Sequence, residues 1–183
     1  IPNARRVLRD GNIVSIDVGV HLDGLHADAA TTVPVGEVSP EANRLLAVTQ
    51  ECLKVGIAQA RVGNHVGDIG HAVQQVAEAA GFGVVRELVG HGIGARFHEE
   101  PQVPNYGVPK RGPRLLEGRT IAIEPMITMG DPATRTLPDK WTVVTADGSL
   151  SAHFEHTVAI TKGGPRILTM TEAGTRGSGD AGM

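Results

Sequence analysis

At 183 residues with 40% hydrophobic side chains, the chain is long enough to bury one sizeable core, and 17 basic against 20 acidic residues leave it slightly negative. No basic stripe interleaved with aromatics is present, which argues against nucleic acid as a partner, and the single cysteine, Cys52, excludes an internal disulfide framework and fits a reducing compartment. No apolar run is long enough to span a bilayer and none reads as a signal peptide, so a soluble cytoplasmic protein without a membrane partner is expected.

Residues 13–20 alternate, with Val14, Ile16, Val18 and Val20 on one face and Ser15, Asp17 and Gly19 on the other, which is the period-two pattern of a strand. Asp23-Gly24 is a hairpin dipeptide, so residues 25–33 should return antiparallel. Ser39-Pro40-Glu41 is a helix start, a capping hydroxyl followed by a proline whose missing N–H costs nothing there, and the helix should run towards Ala60. Val66, Ile69, Val73, Val76 and Ala80 follow the 3-4 spacing of a second helix over 66–80, with Gly81 as its C-terminal cap. Strands are expected again over 83–87, 119–129, 141–145 and 151–161, the last two joined into a hairpin by Asp147-Gly148. The Gly- and Pro-rich segment 90–118 reads as mostly loop, and the Gly-, Ser- and Ala-rich end, 171–183, as a disordered tail. The sum is α+β, an antiparallel sheet with two helices packed on one side.

The chemistry lies in the strands. An ionised carboxylate inside an apolar strand is costly unless something compensates it. Asp17 stands between Ile16 and Val18, Asp28 among alanines, Glu124 after Ile121-Ala122-Ile123, and Glu155 between Phe154 and His156. Their faces carry small or polar neighbours, Ser15, Gly19, Ala122, His153 and Thr157, which leave room in front of the acids. One such acid is ordinarily an edge residue or an ion-pair partner. Four of them, with no comparable supply of Lys or Arg in the strands, repel one another unless cations neutralise them. His91, between Gly90 and Gly92, and His98 add imidazoles on one loop. Nitrogen with several carboxylate oxygens suits Mn, Fe, Co or Zn, and a pair of such cations is the expectation. His65 and His71 read as surface histidines and His156 as a buried structural one, His21 and His26 of the first hairpin as either structural or supporting the site from behind, Cys52 as a small core residue, and no phosphate-binding glycine motif is present.

Taken together, Ile16-Asp17-Val18 with Asp28 eleven residues on, Gly90-His91-Gly92-Ile93-Gly94, Phe97-His98-Glu99-Glu100-Pro101, Ile123-Glu124-Pro125-Met126 and Phe154-Glu155-His156-Thr157 resemble the pita-bread metallopeptidases, and within them the type I methionine aminopeptidases. The resemblance runs in order from Ile1 to about Leu168. It implies a pita-bread catalytic domain over 1–170 and removal of the N-terminal methionine of nascent proteins by a hydroxide that two divalent metal ions activate. It further implies that Asp17 chelates one metal, that His91 and Glu124 bind the other, and that Asp28 and Glu155 bridge both. Glu124 would also shuttle the proton, His98 polarise the scissile amide, and Phe97 and Trp141 line the methionine pocket. The implied protein is a monomer, with contact to the ribosome left open.

Two neighbours of the site depart from the family pattern: Ala27 stands where glycine is common and Gly19 where threonine is frequent. Family members also continue upstream with a further active-site histidine, so the resemblance implies a fragment truncated at its N-terminus, weakly active or inactive alone. The alternatives are another pita-bread exopeptidase, acting on Xaa-Pro bonds or dipeptides, and a non-catalytic binding relative. Glu155-His156-Thr157 argues against the former, and the complete ligand set against the latter.

Overall fold

Strands β1 (Ile13–Leu22) and β2 (Leu25–Pro34) form the expected hairpin in a computed structural model that describes residues 4–170. The tail expected at 171–183 lies outside the described residues. Asp23 and Gly24 both take positive φ, 48° and 80°, which matches the turn twist to that of the strands.

Helix α1 (Pro40–Gln59) starts as the sequence indicates, Ser39 Oγ accepting from the Ala42 N–H at 3.1 Å. Its buried stripe, Leu45, Leu46, Thr49, Cys52, Leu53 and Ile57, packs on α2 (Val66–Ala79) and on the sheet. Asp68 Oδ2 accepts from the His65 N–H at 2.7 Å at the start of α2, and Gly81, with φ 77°, follows its end. Gly56 allows the close crossing, since a Cβ there would stand 3.0 Å from Val73 Cγ2.

The remaining strands are β3 (Gly83–Val84), β4 (Gly90–Gly92), β5 (Glu99–Val103), β6 (Thr120–Ile123), β7 (Met126–Thr128), β8 (Thr134–Thr136), β9 (Val143–Thr145), β10 (Ser151–His153), β11 (Glu155–Thr161) and β12 (Gly164–Ile167). The main sheet runs β1-β2-β11-β6-β4-β5, with β12 beside β11; a second holds β10-β7-β3, and β8 pairs with β9. All pairings are antiparallel. Both helices cover the face bearing Ile121, Ile123, Val158 and Ile160, and these side chains with Leu45, Ile69 and Val73 make the core. The α+β reading holds. The helices do not reach across the hairpin, so Ile16, Val18 and Val20 remain about half exposed at 48%, 52% and 51%.

Four local expectations are corrected. The strand expected over 119–129 breaks at Glu124-Pro125, where proline has no N–H for a ladder, and the one over 151–161 breaks at Phe154. Both chains change sheet together at that point. The Asp147-Gly148 turn does not pair β9 with β10; β9 pairs with β8 and β10 with β7, while Asp147 Oδ2 accepts from the Asp131 N–H at 2.9 Å. Segment 90–118 is mostly loop as expected, with short β4 and β5 inside it, because Gly90 and Gly92 admit carbonyls of Ala122 and Glu100 where a Cβ would collide. The strand expected over 83–87 shrinks to β3.

Candidate metal centre

Strand register assembles the site. Gly19 pairs with Asp28, Thr157 with Ala122, and Gly92 with Ile121, which sets His91 beside Ala122. Asp28 is tied to Thr157 directly: its N–H donates to Thr157 Oγ1 at 2.9 Å, and that hydroxyl donates to the Asp28 carbonyl at 2.8 Å. One row across the sheet thus reads Gly19, Asp28, Thr157, Ala122, His91. The adjacent row on the same face reads Asp17, Ala30, Glu155, Glu124, since Asp17 pairs with Ala30, Ala30 with Glu155, and the register on either side of the break sets Glu124 opposite Glu155. Ala30 and Ala122 put no bulk in front of these rows. Period-two alternation therefore puts all five expected ligands, from five separate segments, on one surface.

The polar atoms converge. Ligand atoms of Asp28, His91 and Glu155 all lie within 4.8 Å of one another. His91 Nε2 is 3.9 Å from Asp28 Oδ2 and 3.6 Å from Glu124 Oε1. His91 Nδ1 donates to the Gly92 carbonyl at 2.8 Å, which leaves the Nε2 lone pair facing the carboxylates, the tautomer a metal ligand needs. Burial lowers the His91 pKa and so favours this neutral form.

The carboxylates hold protons far above their ordinary range. Burial, then the charge of Asp17, raises the Asp28 pKa to about 6. Burial followed by Asp28 and Asp17 raises Glu124 to about 8, and burial followed by Glu124, Asp28 and Asp17 raises Glu155 to about 9. No Lys or Arg figures among the charges acting on these three. Asp28 Oδ1 and Glu155 Oε1 are buried without a hydrogen-bond partner. Unpartnered acid oxygens facing an imidazole lone pair fit divalent cations, which supply the missing positive charge.

An aromatic wall adjoins the acids. The His98 ring is 4.4 Å from that of His91 and 4.8 Å from Phe97, while Phe97 meets His26 edge-on at 5.8 Å. The Phe97 ring lies over Gly19, where any Cβ would strike it, so the departure from threonine at Gly19 is matched by the ring's position. His26 Nδ1 donates to the Gly94 carbonyl at 3.1 Å and its ring stacks on His21 at 4.3 Å, a structural pairing across the hairpin. His156 faces away, its Nδ1 paired with Thr169 Oγ1 at 2.8 Å. Trp141 stands apart from the cluster, 74% exposed in the turn between β8 and β9, with no ring contact among the described residues. Sequence reasoning gave no role to His153, whose Nε2 lies 3.8 Å from Glu124 Oε2; its place two residues before Glu155, on the same strand face, was the available signal.

Comparison with known proteins identifies the family. The model of metallopeptidase family M24 matches residues 1–162. A methionine aminopeptidase of Clostridium perfringens is 56% identical over 163 residues, covering 89% of this chain and 66% of that protein. Methionine aminopeptidase 1 of Bacillus subtilis is 52% identical, covering 92% and 68%. The crystal structure of methionine aminopeptidase from Thermotoga maritima superposes with a TM-score of 0.92 at 46% identity, covering 93% of this chain and 69% of that one. The chain thus spans about two thirds of the length of these relatives.

Proposed function

The chain belongs to metallopeptidase family M24, on its methionine aminopeptidase branch, and from that premise we propose that it carries the metal centre of a cytoplasmic aminopeptidase removing N-terminal methionine from nascent proteins. The observation that carries the proposal is the pair of adjacent rows presenting Asp17, Asp28, His91, Glu124 and Glu155 on one face. Four carboxylates and one imidazole are a donor set for two divalent ions; His91 and Glu124 would hold one, Asp17 the other, and Asp28 and Glu155 would serve both. Bound there, the ions supply Lewis-acid polarisation of a carbonyl and activation of water at neutral pH.

The chain's own groups do the rest. Glu124, a carboxylate at the edge of the donor set, is assigned the proton shuttle, taking a proton from the attacking water and returning it to the departing amine. His98, beside His91, is assigned the donor to the oxygen of the scissile amide, and Phe97, next to it, an apolar wall for the substrate's first side chain. We extend the proposal to Trp141, whose exposed indole face suits a thioether, as a further contact for the methionine side chain.

The test is a peptide panel given to Mn(II)- or Co(II)-loaded protein, with Met-Ala-, Xaa-Pro- and N-blocked substrates. Release of methionine from the first alone, at the low rate expected of this chain by itself, with close to two divalent ions per chain, is the expected result. Glu124→Ala should lower kcat about 10²- to 10⁴-fold while the circular dichroism spectrum is unchanged. Cleavage of Xaa-Pro peptides instead would move the assignment to another exopeptidase of the same fold.

A further inference from the structure

The five proposed ligands leave one imidazole of the cluster unassigned, that of His153. Its Nε2 is buried without a hydrogen-bond partner, although it lies 3.8 Å from Glu124 Oε2 and 3.9 Å from Glu155 Oε2. His91 Nε2 approaches the other oxygen of Glu124, Oε1, at 3.6 Å. Two imidazoles thus share one carboxylate, one to each oxygen. If Oε1 is the oxygen turned to the cation that His91 also binds, Oε2 is left for a donor, and His153 is the group beside it.

The imidazole is held there firmly. The His153 N–H donates to Thr32 Oγ1 at 2.9 Å, and that hydroxyl donates to the His153 carbonyl at 2.7 Å. With its single proton so used, Thr32 Oγ1 accepts from Ser15 Oγ at 2.8 Å. Ser15, Thr32 and His153 therefore form a third row beside the two that carry the ligands, a hydrogen-bonded strut from β1 to β10. Both of the His153 distances are within about 1 Å of hydrogen-bond length. Metal-ligating carboxylates are ordinarily oriented by such an outer donor.

Resting on the metal-centre reading, we propose that His153 is a positioning residue whose Nε2–H is shared by the Glu124 and Glu155 carboxylates and holds both in their ligating orientation. It acts through those carboxylates and does not itself take a coordination position.

Calorimetric titration of Co(II) into the metal-free full chain tests this, comparing wild type with His153→Gln and with two donor-free variants, His153→Leu and His153→Met. Each is first checked for an unchanged circular dichroism spectrum. The donor-free variants should bind Co(II) about 10- to 100-fold more weakly. Glutamine, whose Nε2 can stand where the imidazole Nε2 stands, should restore most of that affinity. Pulsed EPR of the Mn(II)-loaded wild type should show one coordinated imidazole. Undiminished affinity in a folded donor-free variant, or no rescue by His153→Gln, overturns the proposal, as does a second coordinated imidazole, which would make His153 a ligand. Should wild type bind no Co(II) at all, the metal-centre reading falls too; wild-type binding with an indifferent His153→Leu removes the role of His153 alone.

Discussion

Asp28, Glu124 and Glu155 are the residues where the physical cost of the site is concentrated. Their folded pKa values, about 6, about 8 and about 9, stand above the ordinary 3.8 and 4.5 of free carboxylates. A carboxyl whose pKa rises on folding binds its proton more tightly in the native state, so its contribution is full below the unfolded pKa and lost as pH rises through the folded one. Metal-free protein should therefore lose thermal stability steadily between about pH 4 and about pH 9. Divalent cations take the place of the protons, so the Mn(II)-loaded protein should show a flatter profile over the same interval. Melting temperatures of EDTA-treated and Mn(II)-loaded samples at pH 5 and pH 9 decide it; a metal-free protein more stable at pH 9 would contradict these assignments. These acids were legible in the sequence because each breaks the apolar pattern of its own strand. His153 was not, because a histidine alternating with Ser151 and Glu155 on the polar face of its strand breaks no pattern, and its relation to Glu124 exists only between separate segments.

At the scale of elements, legibility followed length. The two helices carry a 3-4 stripe over several turns and a recognisable cap, and their limits fell within a residue or two of those expected. Strands of two to five residues such as β3, β4 and β5 are too short to display a period, and the glycines that admit them read as loop. The sheet change at Glu124-Pro125 depends on two distant segments bending together, which neither shows alone. Close backbone approach gives α2 its particular vulnerability. A Cβ on Gly70 would strike the carbonyls of Pro104 and Tyr106, so Gly70→Ala should destabilise by about 1–3 kcal/mol although alanine favours the helix by about 1 kcal/mol. Gly163→Ala, where a Cβ meets nothing nearer than Thr161 Oγ1 at 3.7 Å, should be close to neutral, and urea melts of the two variants provide the comparison.

For the whole molecule, the first hairpin is the part least secured by apolar packing. It joins the rest through a short β2–β11 pairing, the hydrogen bonds of Thr157, Thr32 and His26, and the Phe97 ring over Gly19, while the side chains of Ile16, Val18 and Val20 are about half exposed. Segments so lightly buried open locally long before the core does. Yet this hairpin owns Asp17 and Asp28, and the other proposed ligands belong to strands that α1 and α2 hold down. Cations shared between them would act as a latch. Amide hydrogen exchange in β1 and β2 should slow markedly on Mn(II) loading, with little change in α1; equal exchange with and without metal would mean that the hairpin is already fastened by other contacts. A molecule so built registers the filling of its centre as a loss of motion some strands away, and a protease that cleaves only opened backbone would read the metal supply from outside.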